Sequence, residues 1–159
     1  MGNSAETSGP IVGCVERWHQ QVRGEFAPGL DGLLHDECVF VSPIVFTPQR
    51  GKAITKMYLT AAGATLGGGG DAAAESGDFK PNSGGPFRYI TEVLQGHHAM
   101  LEFETEMEGV YVNGVDIITC DDDGMITEFK VMIRPLQAVN LVHAQMKAML
   151  ELMSGRTSG

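Results

Sequence analysis

Near the start of the chain, apolar residues recur at steps of three and four positions, which is the spacing of one face of an α-helix. The stripe consists of Ile11, Val15, Trp18, Val22 and Phe26. This pattern predicts a first helix over residues 11–26. A similar stripe, rich in methionine, runs from residue 137 to residue 153 and predicts the last helix.

Between these helices, the chain predicts three shorter elements. Residues 30–35 predict a second helix, and the apolar run 38–41, closed by Ser42-Pro43, predicts a buried strand. A third helix is predicted to begin near Gly51-Lys52. The glycine-rich residues 63–86 offer little apolar surface to bury, so they predict a mobile loop, for which a lid over a cavity is one interpretation.

From residue 87 to residue 135, β-branched and aromatic residues dominate and short turns interrupt them. Turns at Gln95-Gly96, Glu108-Gly109 and Asp123-Gly124 divide this stretch into four predicted antiparallel strands. The order of the elements therefore predicts an α+β fold in which helices pack on one face of a curved sheet.

Length and composition indicate one globular domain. The chain has 159 residues, of which 43% are hydrophobic, and we expect a single domain over residues 11–153 between a flexible N-terminus (1–10) and a flexible tail (154–159). No apolar run approaches the roughly 20 residues that span a bilayer, and no signal peptide is evident, so we expect a cytoplasmic protein without a membrane partner. A net charge of -9 disfavours nucleic acid as a partner.

The three cysteines give no metal or disulfide pattern. Cys14, Cys38 and Cys120 are an odd number at spacings typical of neither a zinc site nor a disulfide framework. Free cysteine is among the most buried residue types, so we interpret them as buried, reduced thiols.

Two segments carry a family resemblance. The first runs from Leu33 to Pro43 and continues from Pro48 to Ile54; the second runs from Val115 to Ile126, with an internal aspartate, an acidic turn, a glycine and an isoleucine. Both resemble the nuclear transport factor 2-like superfamily, and in particular its SnoaL-like domains. The resemblance implies a cone-shaped, curved antiparallel sheet with helices packed on its concave face, and homodimers formed by sheet-to-sheet pairing.

Comparison with individual groups of this superfamily narrows the activity. The ketosteroid isomerases use a first-helix tyrosine and an aspartate just before a proline, where this chain has Trp18 and Ser42, so we do not expect a standard ketosteroid isomerase. Their sheet acid would fall near Asn113 or Asp116, and the resemblance leaves that choice open. The limonene epoxide hydrolases use an Arg-x-Asp pair on one strand and a second aspartate on the last strand. This chain lacks that set, since its last strand, over residues 129–134, contains no carboxylate, so we do not expect such a hydrolase. The resemblance to polyketide cyclases, which use an aspartate without a cofactor, is retained.

If Glu108-Gly109 and Asp123-Gly124 are two-residue turns, strand pairing predicts the two faces of the sheet. One face is apolar except for Asp116, and its other members are Leu101, Phe103, Ile118, Phe129, Val131 and Ile133. The opposite face receives Glu102, Glu104, Asn113, Lys130 and Arg134, with Val115, Ile117 and Met132 among them. Burial on the apolar face would raise the pKa of Asp116, so that it exchanges protons near neutral pH. In the alternative interpretation, Asp116 accepts hydrogen bonds and ties the first helix to the sheet.

Two functions fit these residues. In the first, the protein binds a hydrophobic small molecule and performs cofactor-free acid/base chemistry of the cyclase or isomerase type, with Asp116 and His19 as candidate catalytic residues. In the second, it is a non-catalytic ligand-binding or interaction module in which Asp116 is structural. The candidate ligand-binding residues are Trp18, Phe40, Ser42, Tyr58, Phe103 and Phe129. We expect no metal, because the adjacent His97 and His98 point to opposite sides of a strand, and we expect no cofactor.

The outer face of the sheet predicts a homodimer. This face carries three apolar residues, Val115, Ile117 and Met132. In a monomer their side chains would be exposed to solvent unless the last helix covers them. Arg134 either closes the edge of the cup or pairs with Glu104, and we favour the salt bridge with Glu104.

Overall fold

A computed structural model describes residues 8–66 and 86–155. In this part of the chain, helices come first and a four-strand meander and a long helix follow, as the sequence predicts. The elements are α1 (Pro10–Val22), β1 (Leu34–Val41), β2 (Gln49–Arg50), α2 (Lys52–Thr65), β3 (Arg88–Gln95), β4 (His98–Met107), β5 (Val110–Cys120), β6 (Ile126–Arg134) and α3 (Leu136–Gly155).

The six strands form one sheet in the order β2-β1-β6-β5-β4-β3. Strands β3 to β6 pair with their chain neighbours in antiparallel fashion, and β1 pairs with β6 in parallel. The α+β class and the curved, mostly antiparallel sheet are therefore confirmed.

The predicted faces of the sheet are also confirmed by the register. Asp116 lies opposite Leu101 on β4 and opposite Val131 on β6. Asn113 lies between Glu104 and Arg134 and belongs to the other face. Since side chains alternate along a strand, these pairs fix which residues face the helices.

Several predicted boundaries differ from the structure. The first helix ends at Val22 rather than at residue 26, and a left-handed Gly24 (φ 74°) follows it. The predicted second helix is a single 3-10 turn over Gly29–Gly32, because β1 already begins at Leu34. Residues 63–65 continue α2, and the rest of the predicted glycine-rich loop lies almost wholly in residues 67–85, outside the described part of the chain.

One predicted turn was wrong in type. Glu108 and Gly109 form a two-residue hairpin loop, with Met107 paired to Val110 and with φ angles of 49° and 78°. At Asp123-Gly124, by contrast, β5 ends at Cys120 and β6 begins at Ile126, so a loop of five residues joins the two strands. Asp121 Oδ1 accepts hydrogen bonds from the backbone amides of Asp123 and Met125, which stabilises this longer turn. A register shift beside Cys120 compensates, so the predicted faces are kept.

Helix α1 packs its apolar stripe against the inner face of the sheet. Ile11, Val15 and Trp18 are buried there, and the Trp18 ring lies 4.9 Å from that of Phe129. All three cysteines are buried and free, as predicted, and burial raises the pKa of the Cys14 thiol to about 12. In the described residues, no helix is long and apolar enough to cross a membrane.

Candidate functional site

A cavity of about 920 Å³ lies between the inner face of the sheet and the three helices. Aromatic and aliphatic side chains form most of its wall. All six predicted ligand-binding residues contribute to it: Trp18, Phe40, Ser42, Tyr58, Phe103 and Phe129. Exposed residues of its lining, among them His143 and Lys147 of α3, lie where the cavity meets solvent. A cavity of this size and character accommodates a drug-sized apolar molecule.

The Asp116 carboxyl group lies in this apolar wall. Its residue is only 6% exposed, and it lines the cavity, whereas Asn113 lies on the outer face and donates to Glu102 and to the Phe103 carbonyl. The choice between Asn113 and Asp116, which the sequence leaves open, is therefore decided for Asp116 as the residue that faces the cavity.

Asp116 is held by a tyrosine that the sequence analysis did not identify. The Tyr89 hydroxyl donates a hydrogen bond of 2.6 Å to Asp116 Oδ2. The Trp18 indole Nε1 in turn donates to the Tyr89 hydroxyl oxygen at 2.9 Å. A chain of two hydrogen bonds thus runs from α1 through β3 to β5.

These surroundings change the proton affinity of Asp116. Burial in the apolar wall raises the pKa of its carboxyl group to about 7, and the hydrogen bond from Tyr89 opposes part of that rise. Burial and the neighbouring Asp116 raise the pKa of Tyr89 well above its ordinary value, so the phenol keeps its proton. The burial of Asp116 therefore favours its acid form, compared with an exposed aspartate.

A β-bulge brings Tyr89 to the inner face. The ladder between β3 and β4 is regular from Gln95 to Thr91, shifts by one residue, and then pairs Tyr89 with Phe103. Without this shift, Ile90 would stand opposite Phe103, and the phenol would lie on the outer face. The Tyr89 ring then packs edge-on against the Phe87 ring at 5.1 Å.

His19 makes a different contact from the one expected of a partner for Asp116. Its Nε2 lies 2.8 Å from Glu92 Oε1, and neither residue belongs to the cavity lining. Its ring meets the Tyr89 ring edge-on at a centroid distance of 5.3 Å. The structure thus places His19 behind Tyr89, and Tyr89 rather than His19 contacts Asp116.

Arg134 and Glu104 do not form the expected salt bridge. The Arg134 guanidinium donates to Asn113 Oδ1 at 2.9 Å, whereas Glu104 pairs with Arg88 at 3.1 Å and accepts from the Tyr111 hydroxyl. This polar network occupies the outer face of the sheet. It is separated from the cavity by the sheet itself.

His97, His98 and Ser42 pair with nearby side chains or with the backbone. In residues 8–66 and 86–155, no cluster of three or more His, Cys, Asp or Glu side chains is arranged to hold a metal ion. His97 bonds to Asp122 and His98 to Thr119. The Ser42 hydroxyl accepts hydrogen bonds from the amides of Ile44 and Val45, so it closes the turn after β1.

No protein-family model matches this chain, and no curated protein matches it. Its structure is similar to many solved structures. A steroid delta-isomerase from Pseudomonas aeruginosa has 24% identity and a TM-score of 0.74, over 94% of this chain and 98% of that one. An uncharacterised protein with a cystatin-like fold from Silicibacter pomeroyi has 23% identity and a TM-score of 0.66, over 85% and 83% of the two chains.

A third similar structure is a nuclear transport factor 2-like protein of unknown function from Mesorhizobium loti. It has 16% identity and a TM-score of 0.59, over 79% of this chain and 92% of that one. The likenesses confirm the predicted fold. At these identities they show the fold alone, and the chemistry depends on the residues of the cavity.

Proposed function

We propose that this chain, which has the nuclear transport factor 2-like fold, binds a hydrophobic small molecule in the cup and transfers a proton to or from it through Asp116, without a cofactor. The observation that carries the proposal is that, among the described residues, Asp116 supplies the one buried carboxyl group of an apolar, aromatic cavity. A pKa near 7 suits an acid or base that acts at neutral pH.

The chemistry that such a site supports is enolisation or a reaction that begins with it. The acid form of Asp116 donates to a carbonyl oxygen of the ligand. As the proton of Asp116 passes to this oxygen, the C=O π pair forms the O–H bond of the enol. The neighbouring C–H bond breaks, its electron pair forms the C=C bond, and its proton leaves to water. In the return step water delivers a proton to the carbon and the enol O–H proton returns to Asp116, which regenerates the acid. A neutral carboxylic acid kept in an apolar site is known to stabilise such an oxygen. Cyclisation and isomerisation of apolar ketones share this step.

Hydrogen–deuterium exchange tests the proposal without knowledge of the natural substrate. The probe is 2-tetralone, a bicyclic apolar ketone, incubated with protein in D₂O and followed by NMR at the carbon between the ring and the carbonyl. We expect the protein to accelerate exchange by about 10²-fold over the Asp116→Asn variant, since the amide keeps the size of the side chain but cannot transfer a proton. Equal exchange with both proteins would contradict the proposal.

A non-catalytic binding module is the second candidate. It is favoured by the two hydrogen bonds that join Trp18, Tyr89 and Asp116, since they tie α1 to two strands of the sheet. In this case the probe perturbs the NMR signals of cavity residues in both proteins while exchange stays at the background rate. Asp116→Asn then changes only the stability or the affinity.

We also propose that the outer face of the sheet forms a homodimer contact. Met100 and Met132 lie on this face and are 48% and 51% exposed, so α3 does not cover them. Val93 adds a third exposed side chain, at 55%. Exposed apolar side chains grouped on one face are typical of a contact with a second copy.

A further inference from the structure

Trp18, Tyr89 and Asp116 are joined by two hydrogen bonds, and the indole of Trp18 determines the direction in which both run. An indole nitrogen carries a proton and no free acceptor site, so Trp18 Nε1 is a donor only. The Tyr89 oxygen therefore accepts at 2.9 Å. Its own proton is directed to Asp116 Oδ2, at the short distance of 2.6 Å that is typical of a hydrogen bond to a carboxylate.

Tyr89 lines the cavity, but its hydroxyl proton is used in the hydrogen bond to Asp116 and is not offered to a ligand. The ring is held in place by edge-on contacts with Phe87 at 5.1 Å and with His19 at 5.3 Å, so the phenol does not turn freely. Asp116 Oδ1, by contrast, has no hydrogen-bond partner in the described part of the chain. Of the carboxyl oxygens, it is the one that a ligand meets.

We propose that Trp18 is a positioning residue for Asp116: it fixes the direction of the Tyr89 hydroxyl, so that the cavity offers a ligand one carboxyl oxygen, Asp116 Oδ1. The buried end of the ligand is then a single carbonyl or enol oxygen on an apolar body. A ligand with two polar atoms at that end, such as a carboxylate, would leave one of them unpaired in an apolar wall. The ligand part of this inference rests on the proposed function; the role of Trp18 does not.

Coupling between Trp18 and Asp116 is measurable in the ligand-free protein. Carboxyl ¹³C NMR gives the pKa of Asp116 in the wild type and in the variants Tyr89→Phe, Trp18→Phe and the double variant. Tyr89→Phe removes a hydrogen bond to the carboxylate and should raise the pKa by about one pH unit. Trp18→Phe weakens Tyr89 as a donor and should raise it by a few tenths. The double variant should match Tyr89→Phe alone, because the effect of Trp18 passes through Tyr89.

The matched control is Val15→Ala. Val15 is buried on the same helix as Trp18 but does not line the cavity, so this variant loosens the packing of α1 without removing either hydrogen bond or changing the wall around Asp116. We expect it to leave the pKa of Asp116 unchanged. If Trp18→Phe shifted this pKa equally in both Tyr89 backgrounds, or left it unchanged in a folded protein, the positioning role would be wrong.

A second measurement keeps the test independent of whether the Trp18 variant folds. Trp18 is the only tryptophan of the chain, so its indole N–H gives a unique NMR signal. We expect this signal to titrate with a midpoint near that of Asp116, and to lose that midpoint in Asp116→Asn and in Tyr89→Phe. In residues 8–66 and 86–155, the other titratable or charged groups near these hydrogen bonds are His19 and Glu92 behind Tyr89, and Arg23, His143, Lys147 and Glu151 in the cavity lining. A midpoint that survived in Asp116→Asn would come from one of these groups and would overturn the inference.

The same NMR signals test the ligand class. With 2-naphthol, which carries one oxygen, we expect binding that shifts the carboxyl signal of Asp116. With 2-naphthoate, which carries two, we expect affinity at least about tenfold weaker. Equal affinities would contradict the single-oxygen site. Failure of both probes to bind would instead contradict the proposed function, whatever the outcome of the pKa measurements on Trp18 and Tyr89.

Discussion

The Tyr89 hydroxyl lies 2.6 Å from Asp116 Oδ2, although β4 separates the strands that carry the two residues. The contact is possible because both side chains project from the inner face and the long phenol reaches past Phe103, the partner of Tyr89 on β4. Asp116 thus sits in an apolar wall with one strong donor.

The first prediction concerns stability against pH. The pKa of Asp116 is about 7 in the folded protein and close to 3.8 when unfolded, so the folded state binds the proton more tightly. This contribution is fully present below about pH 4, decreases as pH rises, and is lost above about pH 7. The difference corresponds to about 4 kcal/mol for a buried group.

Urea unfolding of the wild type and of Asp116→Asn at pH 4.5 and pH 8 measures this contribution. Because other groups titrate in both proteins, the difference between them isolates Asp116. We expect similar free energies of unfolding at pH 4.5 and a more stable variant at pH 8. A difference that did not change with pH would mean that the carboxyl group is ionised throughout.

The second prediction is the pH profile of the exchange reaction. If the acid form of Asp116 donates to the carbonyl oxygen, the acceleration over Asp116→Asn is largest below pH 7 and falls as the carboxyl group ionises. Rates are measured with 2-tetralone between pH 5 and pH 9, and the variant supplies the background at each pH. An acceleration that rose through pH 7 would assign Asp116 the role of base instead.

The third prediction concerns His19. Since its Nε2 contacts Glu92 at 2.8 Å outside the cavity, His19→Gln should leave the exchange rate within about twofold of the wild type. Tyr89→Phe, which alters the residue that does contact Asp116, is the comparison and should change the pH profile. A loss of exchange of about tenfold or more in His19→Gln would restore His19 as a catalytic candidate.

The residues on the inner face of the sheet could be predicted from the sequence because one turn determines how β4 and β5 pair. The two-residue loop at Glu108-Gly109 sets the pairing of β4 with β5, and Asp116 follows from it by simple alternation. The cavity lining was predictable for a related reason, because an aromatic side chain on the inner face of the sheet is buried between the sheet and the helices.

Tyr89 was not predictable in this way. A regular pairing from the Gln95–His98 end of β3 would put Tyr89 opposite Glu104, on the outer face. The bulge at Ile90 reverses this, and no glycine or proline marks it in the sequence. The direction of His19 was open for a similar reason, because the rotation of α1 over the sheet decides whether residue 18 or residue 19 points inward.

The fourth prediction tests the close packing of β5 at Gly114. A Cβ atom there would overlap the Phe103 ring and approach the Met132 carbonyl oxygen to 2.8 Å. Gly114→Ala should therefore destabilise the protein by about 1–3 kcal/mol in urea unfolding. Gly63→Ala is the matched control, since open space surrounds that Cβ and the helix α2 gains up to about 1 kcal/mol from the change. Equal stability of the two variants would contradict the packing at Phe103.

The last prediction is that the protein is a dimer whose contact lies on the outer face of the sheet. Met100 on β4 pairs with Ile117 on β5, and Val115 pairs with Met132 on β6, so these apolar side chains form one continuous surface. Light scattering at micromolar concentration should give about twice the 17.0 kDa of one chain. Ile117→Lys should return the mass to that of a monomer, because it buries a charge in the contact. Leu152→Lys, at an exposed position of α3, is the control and should stay dimeric. A wild type at 17.0 kDa would exclude the dimer, and dissociation by Leu152→Lys alone would move the contact from the sheet to α3.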